Sequence, residues 1–200
     1  SDVNVKIGDT VTAKIMKAKK SYGYGRLMEI LQPSPYRVEP LCPSARQCGG
    51  CQLQAVSYEE QKAFKEKKLR GHLERIGGFK ELPMEPLIGM DEPYHYRHKV
   101  QAGFAKVGGS VISGVYQSST HRIVKVDACP IENERADSII VTIRRLIHEF
   151  KLIIYSDKTP KGVMCHCLVR VGYHSGEIMV VLVTAAREFP KKHDFISKLT

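Results

Sequence analysis

His98-Lys99-Val100-Gln101-Ala102-Gly103-Phe104-Ala105-Lys106-Val107-Gly108-Gly109-Ser110-Val111-Ile112-Ser113-Gly114-Val115-Tyr116-Gln117 is the stretch on which the fold turns. Its residues alternate in character, and Gly108-Gly109 suits a tight antiparallel turn, so the spacing predicts a hairpin with strands near 98–106 and 111–117. The span 94–126 keeps the alternation, with Ile123-Val124 as a third strand, and a meander is the simplest arrangement. Downstream, Ala136, Ile139, Ile140, Ile143, Ile147 and Phe150 recur at helical spacing. Residues 132–150 therefore read as an amphipathic helix that covers the sheet. Residues 163–173 and 177–185 alternate around His174-Ser175-Gly176 as a second hairpin, and Pro190 opens a short helix carrying Phe195, Ile196 and Leu199. Strands and helices mix without the regular period of a doubly wound sheet, which places the chain in the α+β class with a mixed antiparallel sheet and packed helices.

Upstream, Val11, Ala13 and Ile15 alternate with Thr10, Thr12 and Lys14, and Leu27 to Leu31 is a second apolar run, so 7–30 predicts two strands. Between them Lys17, Lys19, Lys20 and Arg26 interleave with Tyr22 and Tyr24 on a Gly-rich loop, a pattern suited to phosphates and stacked bases, and equally to a solvated turn. Gln32-Pro33-Ser34-Pro35-Tyr36 reads as an extended linker with a boundary near 32–41. Ser57-Tyr58-Glu59-Glu60 reads as a capping box that starts a helix running to Ile76, where Gly77-Gly78 stops it. Leu69, Leu73 and Ile76 are its clearest apolar stripe. The many Lys and Arg residues between them form a solvated basic face.

The chain has 200 residues, 42% of them hydrophobic and 26% charged, which excludes wholesale disorder and fibrous repeats. The longest uncharged, mainly apolar run, Ile178 to Ala186, is nine residues, about half of the ~18–20 that a membrane-spanning helix needs. Neither membrane insertion nor secretion is expected. The 31 Lys and Arg against 21 Asp and Glu leave a net charge of +10, which favours a polyanionic partner, nucleic acid first.

Six cysteines are too few for a disulfide scaffold, and Cys42, Cys48 and Cys51 fall within ten positions. Such clustering suggests a metal site in a reducing, cytoplasmic compartment. The spacing C-x5-C-x2-C puts three thiolates on a Gly-rich loop, where Gly49-Gly50 lets backbone N–H groups approach sulfur. The fourth ligand is open among Cys129, Cys165, Cys167 and eight histidines. Cys129-Pro130 resembles the Cys-Pro ending of ferredoxin ligand runs. Four-cysteine zinc sites usually come as two close pairs. The three-plus-one distribution here favours an iron-sulfur centre, with zinc as the competitor. Cys165 and Cys167, two apart in a strand, read as core side chains on one face.

In family order over about residues 7 to 186, the sequence resembles the RNA uracil-5-methyltransferases of the 23S rRNA-modifying type, which carry a TRAM domain and a 4Fe-4S cluster. The resemblance rests on Pro33-Ser34-Pro35-Tyr36-Arg37-Val38-Glu39-Pro40 leading into Cys42, and on Cys48-Gly49-Gly50-Cys51-Gln52-Leu53-Gln54 with Tyr58 and Lys68 beyond. It continues through Leu73-Glu74-Arg75-Ile76-Gly77-Gly78, Tyr96-Arg97-His98-Lys99-Val100-Gln101, Gly114-Val115-Tyr116, His121-Arg122-Ile123-Val124 and Cys129-Pro130-Ile131. The resemblance implies Cys42, Cys48, Cys51 and Cys129 as cluster ligands. Where the family commonly has asparagine or arginine between Arg97 and Lys99, this chain has His98.

The family's chemistry is attack of a cysteine thiolate on C6 of uracil, methyl transfer from S-adenosylmethionine to C5, and loss of the C5 proton; covalent addition is useful because C5 is a poor nucleophile until C6 is saturated. No Gly-rich cofactor turn and no cysteine in the family's nucleophile context occur here. The expectation is an accessory portion, catalytically inactive alone and monomeric: a partial OB-like TRAM β segment over 1–40, then an iron-sulfur loop and central α/β RNA-recognition domain over 41–200, with the methyltransferase domain and its S-adenosylmethionine site absent. Expected RNA contacts are Lys17, Lys19, Lys20, Tyr22, Arg97 and Lys99, with 23S rRNA as the partner. The alternative is a stand-alone zinc- or iron-sulfur-binding RNA-binding module without catalysis.

Overall fold

Alternation and helical periodicity become the following order in the computed structural model, which describes residues 5–118, 120–156 and 160–200. Among the described residues the elements are β1 (Thr10–Ala18), β2 (Gly23–Gln32), α1 (Tyr58–Arg75), β3 (Lys99–Val107), β4 (Ser110–Tyr116), β5 (Ile123–Lys125), α2 (Glu134–Glu149), β6 (Met164–Val171), β7 (Ile178–Thr184) and α3 (Lys192–Leu199). The architecture is mixed α+β, with antiparallel sheets and three helices. The chain divides into two compact units, one of residues 1–46 and 51–92, the other of residues 47–50 and 93–200.

The second unit holds the core. Its five strands order as β5-β4-β3-β6-β7, all neighbours antiparallel. Gly108 and Gly109 both take positive φ, 56° and 86°, which only glycine adopts without strain, and they close the two-residue turn between β3 and β4. Val100, Ala102, Phe104, Cys167, Val169 and Val171 point to one face, where Ala136, Ile140, Ile143, Leu146 and Ile147 of α2 pack on them. The helix starts at Asn133, whose side chain accepts from the Arg135 amide at 3.0 Å. Phe195 of α3 is fully buried and meets Phe150 and Phe189 edge-on. A Cβ on Gly114 would run into the Val124 carbonyl, so glycine there is what lets β5 pair closely with β4.

β6 corrects one expectation. A register shift between Met164 and His166 interrupts the alternation, so Met164 and Cys167, three positions apart, are both in the core while Cys165 is only half-buried. Cys165 and Cys167 therefore do not share the buried environment that unbroken alternation would give them.

The first unit is thinly cored: among its described residues only Ser34 and Val56 are buried as whole residues, backbone and side chain together. Its β1–β2 ribbon is antiparallel with three register irregularities. The connecting loop is shorter than expected, because Lys17 and Ala18 belong to β1 and Gly23 to Arg26 belong to β2. The Pro33–Tyr36 stretch is not a free linker. Ser34 N donates to Asp9 Oδ1 at 2.8 Å, and Ser57 N to the Tyr36 carbonyl at 2.8 Å.

Helix α1 has Ser57 as N-cap but no capping hydrogen bond from its side chain, so the expected capping box does not form. No α1 residue is buried; Leu69 is 50% and Ile76 81% exposed. The stripe is too narrow amid lysines and arginines to seat a core. Among the described residues no helix is long and apolar enough to cross a membrane.

Candidate nucleic-acid contacts and cysteine sites

The ribbon displays cations at its free end. Lys17 pairs across to Tyr24, and the loop of Lys19 to Tyr22 is closed by the Lys19 amide donating to the Tyr22 carbonyl at 2.7 Å. Tyr22 and Tyr24 are exposed and meet edge-on, with centroids 5.6 Å apart. Among the described residues Lys17, Lys19 and Lys20 have no carboxylate partner, so their charge is available to an external anion.

At the root of the ribbon Asp9 gathers donors: the Lys6 amide at 2.6 Å, the Ser34 amide, and the Arg37 guanidinium. The Arg37 hydrogen bonds, against a smaller desolvation effect, hold the Asp9 carboxyl well below the usual carboxylate range.

Arg97 and Lys99 lie in the second unit. The Arg97 backbone is anchored at both ends, its amide to the Ile131 carbonyl and its carbonyl to the Asn133 amide, while its guanidinium stands 3.9 Å from the buried Glu132. Burial first, then the neighbouring Asp137, pushes the Glu132 carboxyl upward. Arg97 is thus partly engaged with an internal carboxylate, which weakens it as a free phosphate contact. Lys99 is exposed at the start of β3, opposite Arg170 of β6.

Cys42 and Cys51 belong to the first unit, where Gln54 joins them: its Oε1 accepts from the Cys42 amide at 3.1 Å, and its Nε2 donates to Cys51 Sγ at 3.9 Å. Cys48 and Cys129 belong to the second unit. Cys48 bridges to Gln117, and the Gly50 amide donates to Cys48 Sγ at 3.3 Å, the N–H to sulfur approach that a Gly-Gly pair permits. A Cβ on Gly49 would sit 3.1 Å from the Tyr116 carbonyl and the Ser118 amide, so the loop depends on glycine to lie against that edge. Cys129 donates its amide to Asp137 at 2.8 Å, and its sulfur accepts from the Ile131 and Glu132 amides. Burial, opposed by those amides and assisted by the two carboxylates, pushes the Cys129 thiol up to about 11.

All six cysteines are free thiols, and among the described residues no three His, Cys, Asp or Glu side chains form a group able to hold a metal ion. Sequence reasoning missed Gln54, Glu132 and Asp137. Gln54 was in plain view three residues after Cys51, but a neutral side chain carries no spacing signal. The two carboxylates fall at the start of the expected 132–150 helix, where acidic residues are common and carry no site signal of their own.

No protein-family profile matches the chain. It is 41% identical over 192 residues to an uncharacterized RNA methyltransferase of Halalkalibacterium halodurans, an alignment covering 96% of this chain and 42% of that protein. A protein of the same description from Clostridium tetani is 42% identical over 194 residues, 97% of this chain and 42% of the relative. Among solved structures, the tRNA (uracil-54, C5)-methyltransferase of Pyrococcus abyssi in complex with S-adenosyl-L-homocysteine superposes with a TM-score of 0.67 at 22% identity, covering 94% of this chain and 42% of that one. At that identity the likeness speaks for the fold. Over nearly its whole length, then, the chain is a homologue of proteins named RNA methyltransferases, and it spans about two fifths of their length.

Proposed function

We propose that this chain is the RNA-recognition and iron-sulfur portion of an S-adenosylmethionine-dependent RNA uracil-5-methyltransferase that modifies a uridine of 23S rRNA. The observation that carries it is continuity: similarity to proteins named RNA methyltransferases runs through 96% of the chain, and so takes in the cationic ribbon, the cysteine loop and the five-stranded sheet together. The uracil C5 chemistry and the methyl donor are supported by the name and the bound product of the solved structure that shares the fold.

Residues 1–40 are then a partial TRAM-like segment, and residues 41–200 carry the iron-sulfur loop and the central recognition domain. These functional segments differ from the two compact units, since α1 shares a unit with the ribbon. RNA is held through Lys17, Lys19, Lys20, Arg97 and Lys99, with Tyr22 stacking on an unpaired base. Cys42, Cys48, Cys51 and Cys129 are the proposed ligands of a 4Fe-4S cluster. Amide donors stand at three of these sulfurs, from Gly50, from Gln54 and from Ile131 with Glu132, which suits thiolates bound to an inorganic centre. When bound, the cluster supplies a cross-link among the four thiolates.

The test is fluorescence anisotropy of a labelled 23S rRNA stem-loop against this chain, with tRNA as competitor. Five phosphate contacts on unpaired RNA give a slope of log K against log salt near about −3.5. Absent or salt-insensitive binding overturns the RNA role. Anaerobic purification with iron, sulfide and zinc analysis tests the cluster: broad absorbance near ~400 nm with iron and sulfide supports it, and a colourless protein with one zinc per chain overturns it.

A further inference from the structure

Gln54 reaches both cysteines of the first unit from a braced stretch of backbone. Val56 N donates to the Leu53 carbonyl at 2.9 Å, Val38 N to the Ala55 carbonyl at 3.1 Å and Ser57 N to the Tyr36 carbonyl at 2.8 Å, so residues 53–57 are laced to residues 36–38. Val56, at 2% exposure, anchors the same stretch. A side chain that starts from a fixed backbone has only its own torsions left to order.

The partners of the Gln54 carboxamide fix which way round it lies. The Cys42 amide can only donate, so the atom that faces it at 3.1 Å is Oε1. Nε2, which carries the protons, is thereby turned to Cys51 Sγ at 3.9 Å. Flipped end for end, the group would set an N–H against an N–H and an oxygen against a sulfur, two unfavourable contacts in place of two favourable ones. Cys42 and Cys51, nine positions apart in sequence, are both half-buried free thiols. Gln54 thus holds the backbone of one and the sulfur of the other.

An N–H group aimed at a ligating sulfur draws electron density from it, and hydrogen bonds to sulfur are among the features that set the potential of an iron-sulfur centre. A neutral carboxamide donates and accepts at once and brings no charge, whereas a carboxylate here would place a negative charge beside a thiolate. We infer that Gln54 is a positioning residue for the iron-sulfur centre, its carbonyl fixing the Cys42 backbone and its N–H group making the bound centre easier to reduce through Cys51. The inference rests on the cluster reading above and adds to it a residue that is not a ligand. Cys51 and Gln54 also line an open cavity of about 340 Å³ with Ala45, Arg46 and Ala55. Water entering there would replace a truncated side chain, so the substitution that reads the bond must keep the side chain's volume.

The experiment compares this chain with its Gln54→Met, Gln54→Glu and Gln52→Met variants, each checked by thermal melting, then reconstituted anaerobically with iron and sulfide. Iron and sulfide content, the midpoint potential of one-electron reduction by dithionite, and the rate of iron loss to a chelator are measured. Gln54→Met keeps the length and loses both hydrogen bonds. It should lower the reduction equilibrium about 3- to 10-fold, a shift of about 30–60 mV to more negative potential at ~59 mV per tenfold, and speed iron loss. Gln54→Glu keeps the acceptor for the Cys42 amide and loses the donor, so the potential should move at least as far in the same direction while iron leaves more slowly than from Gln54→Met. Gln52→Met, at an exposed position, should match the parent. An unchanged potential in both Gln54 variants, or an equal shift in Gln52→Met, overturns the inference and leaves the cluster reading standing. A parent that takes up no iron and sulfide overturns both.

Discussion

Arg37 closes a two-pronged ion pair on Asp9 across 28 positions of sequence, Nε to Oδ1 at 2.7 Å and Nη2 to Oδ2 at 2.5 Å. The Asp9 side chain is wholly buried while Arg37 keeps some solvent exposure, so the carboxylate is the partner that depends on the contact. In a unit with almost no apolar core, this pair and the amides of Lys6 and Ser34 take the place of hydrophobic packing. Asp9→Asn should cost about 2–3 kcal/mol, somewhat less than a fully buried pair because Arg37 is partly hydrated.

The same pair makes the first unit acid-sensitive. Asp9 is held well below its unfolded value, first by the Arg37 hydrogen bonds. Its stabilisation is therefore complete above the unfolded aspartate pKa of about 3.9 and is lost as pH falls from there toward the folded value. Urea midpoints should drop below about pH 4, and hydrogen exchange at the Ser34 amide should accelerate in the same window. In Asp9→Asn that part of the pH dependence should vanish; a variant with the parent's acid profile would show that other carboxylates set it.

Binding at the ribbon should be mainly electrostatic. Lys17, Lys19 and Lys20 lie at or next to a four-residue loop and have no internal anions to satisfy among the described residues. Replacing all three by alanine should flatten the salt slope on single-stranded RNA by about 2, at about 0.7 for each phosphate no longer neutralised, and leave the melting temperature nearly unchanged. An unaltered slope would remove the ribbon tip from the interface.

The second unit was largely legible in the sequence because its elements obey one rule each. Alternation in 98–117 and the spacing of Ile140, Ile143 and Ile147 both report a single buried face, and a packed core enforces that face. The first unit obeys no such rule. Pro33-Ser34-Pro35 carries the signature of a linker, yet the Ser34 amide is bound by a carboxylate 25 positions away, a contact that periodicity does not encode. The Cys165 bulge was hidden for a related reason: one inserted residue leaves composition unchanged while reversing which side chains face inward. At the cysteines the spacing was visible, but the Gln54 amide that joins Cys42 to Cys51 was not.

Cys167 should behave as a core side chain. It is fully buried between strands, and burial pushes its thiol up to about 12. Near pH 8 the thiolate that alkylating agents require is then about one part in ten thousand, before any steric exclusion. Iodoacetamide modification followed by mass spectrometry should leave Cys167 unlabelled until the second unit unfolds, with labelling tracking the urea transition. Rapid labelling under native conditions would mean that β6 opens locally.

The two long helices should respond oppositely to truncation. Ile143 of α2 is completely buried against the sheet, and shortening it to alanine removes transfer free energy and leaves a cavity that five paired strands cannot collapse to fill. Ile143→Ala should cost about 2–5 kcal/mol. Leu69 of α1 is half exposed on a helix with no buried residue, so it has little transfer free energy to lose. Leu69→Ala should stay within about 0.5 kcal/mol, helped by alanine's better helix propensity. Urea denaturation of both variants followed by circular dichroism makes the comparison. A loss at Leu69 as large as that at Ile143 would show that α1 buries its stripe in solution.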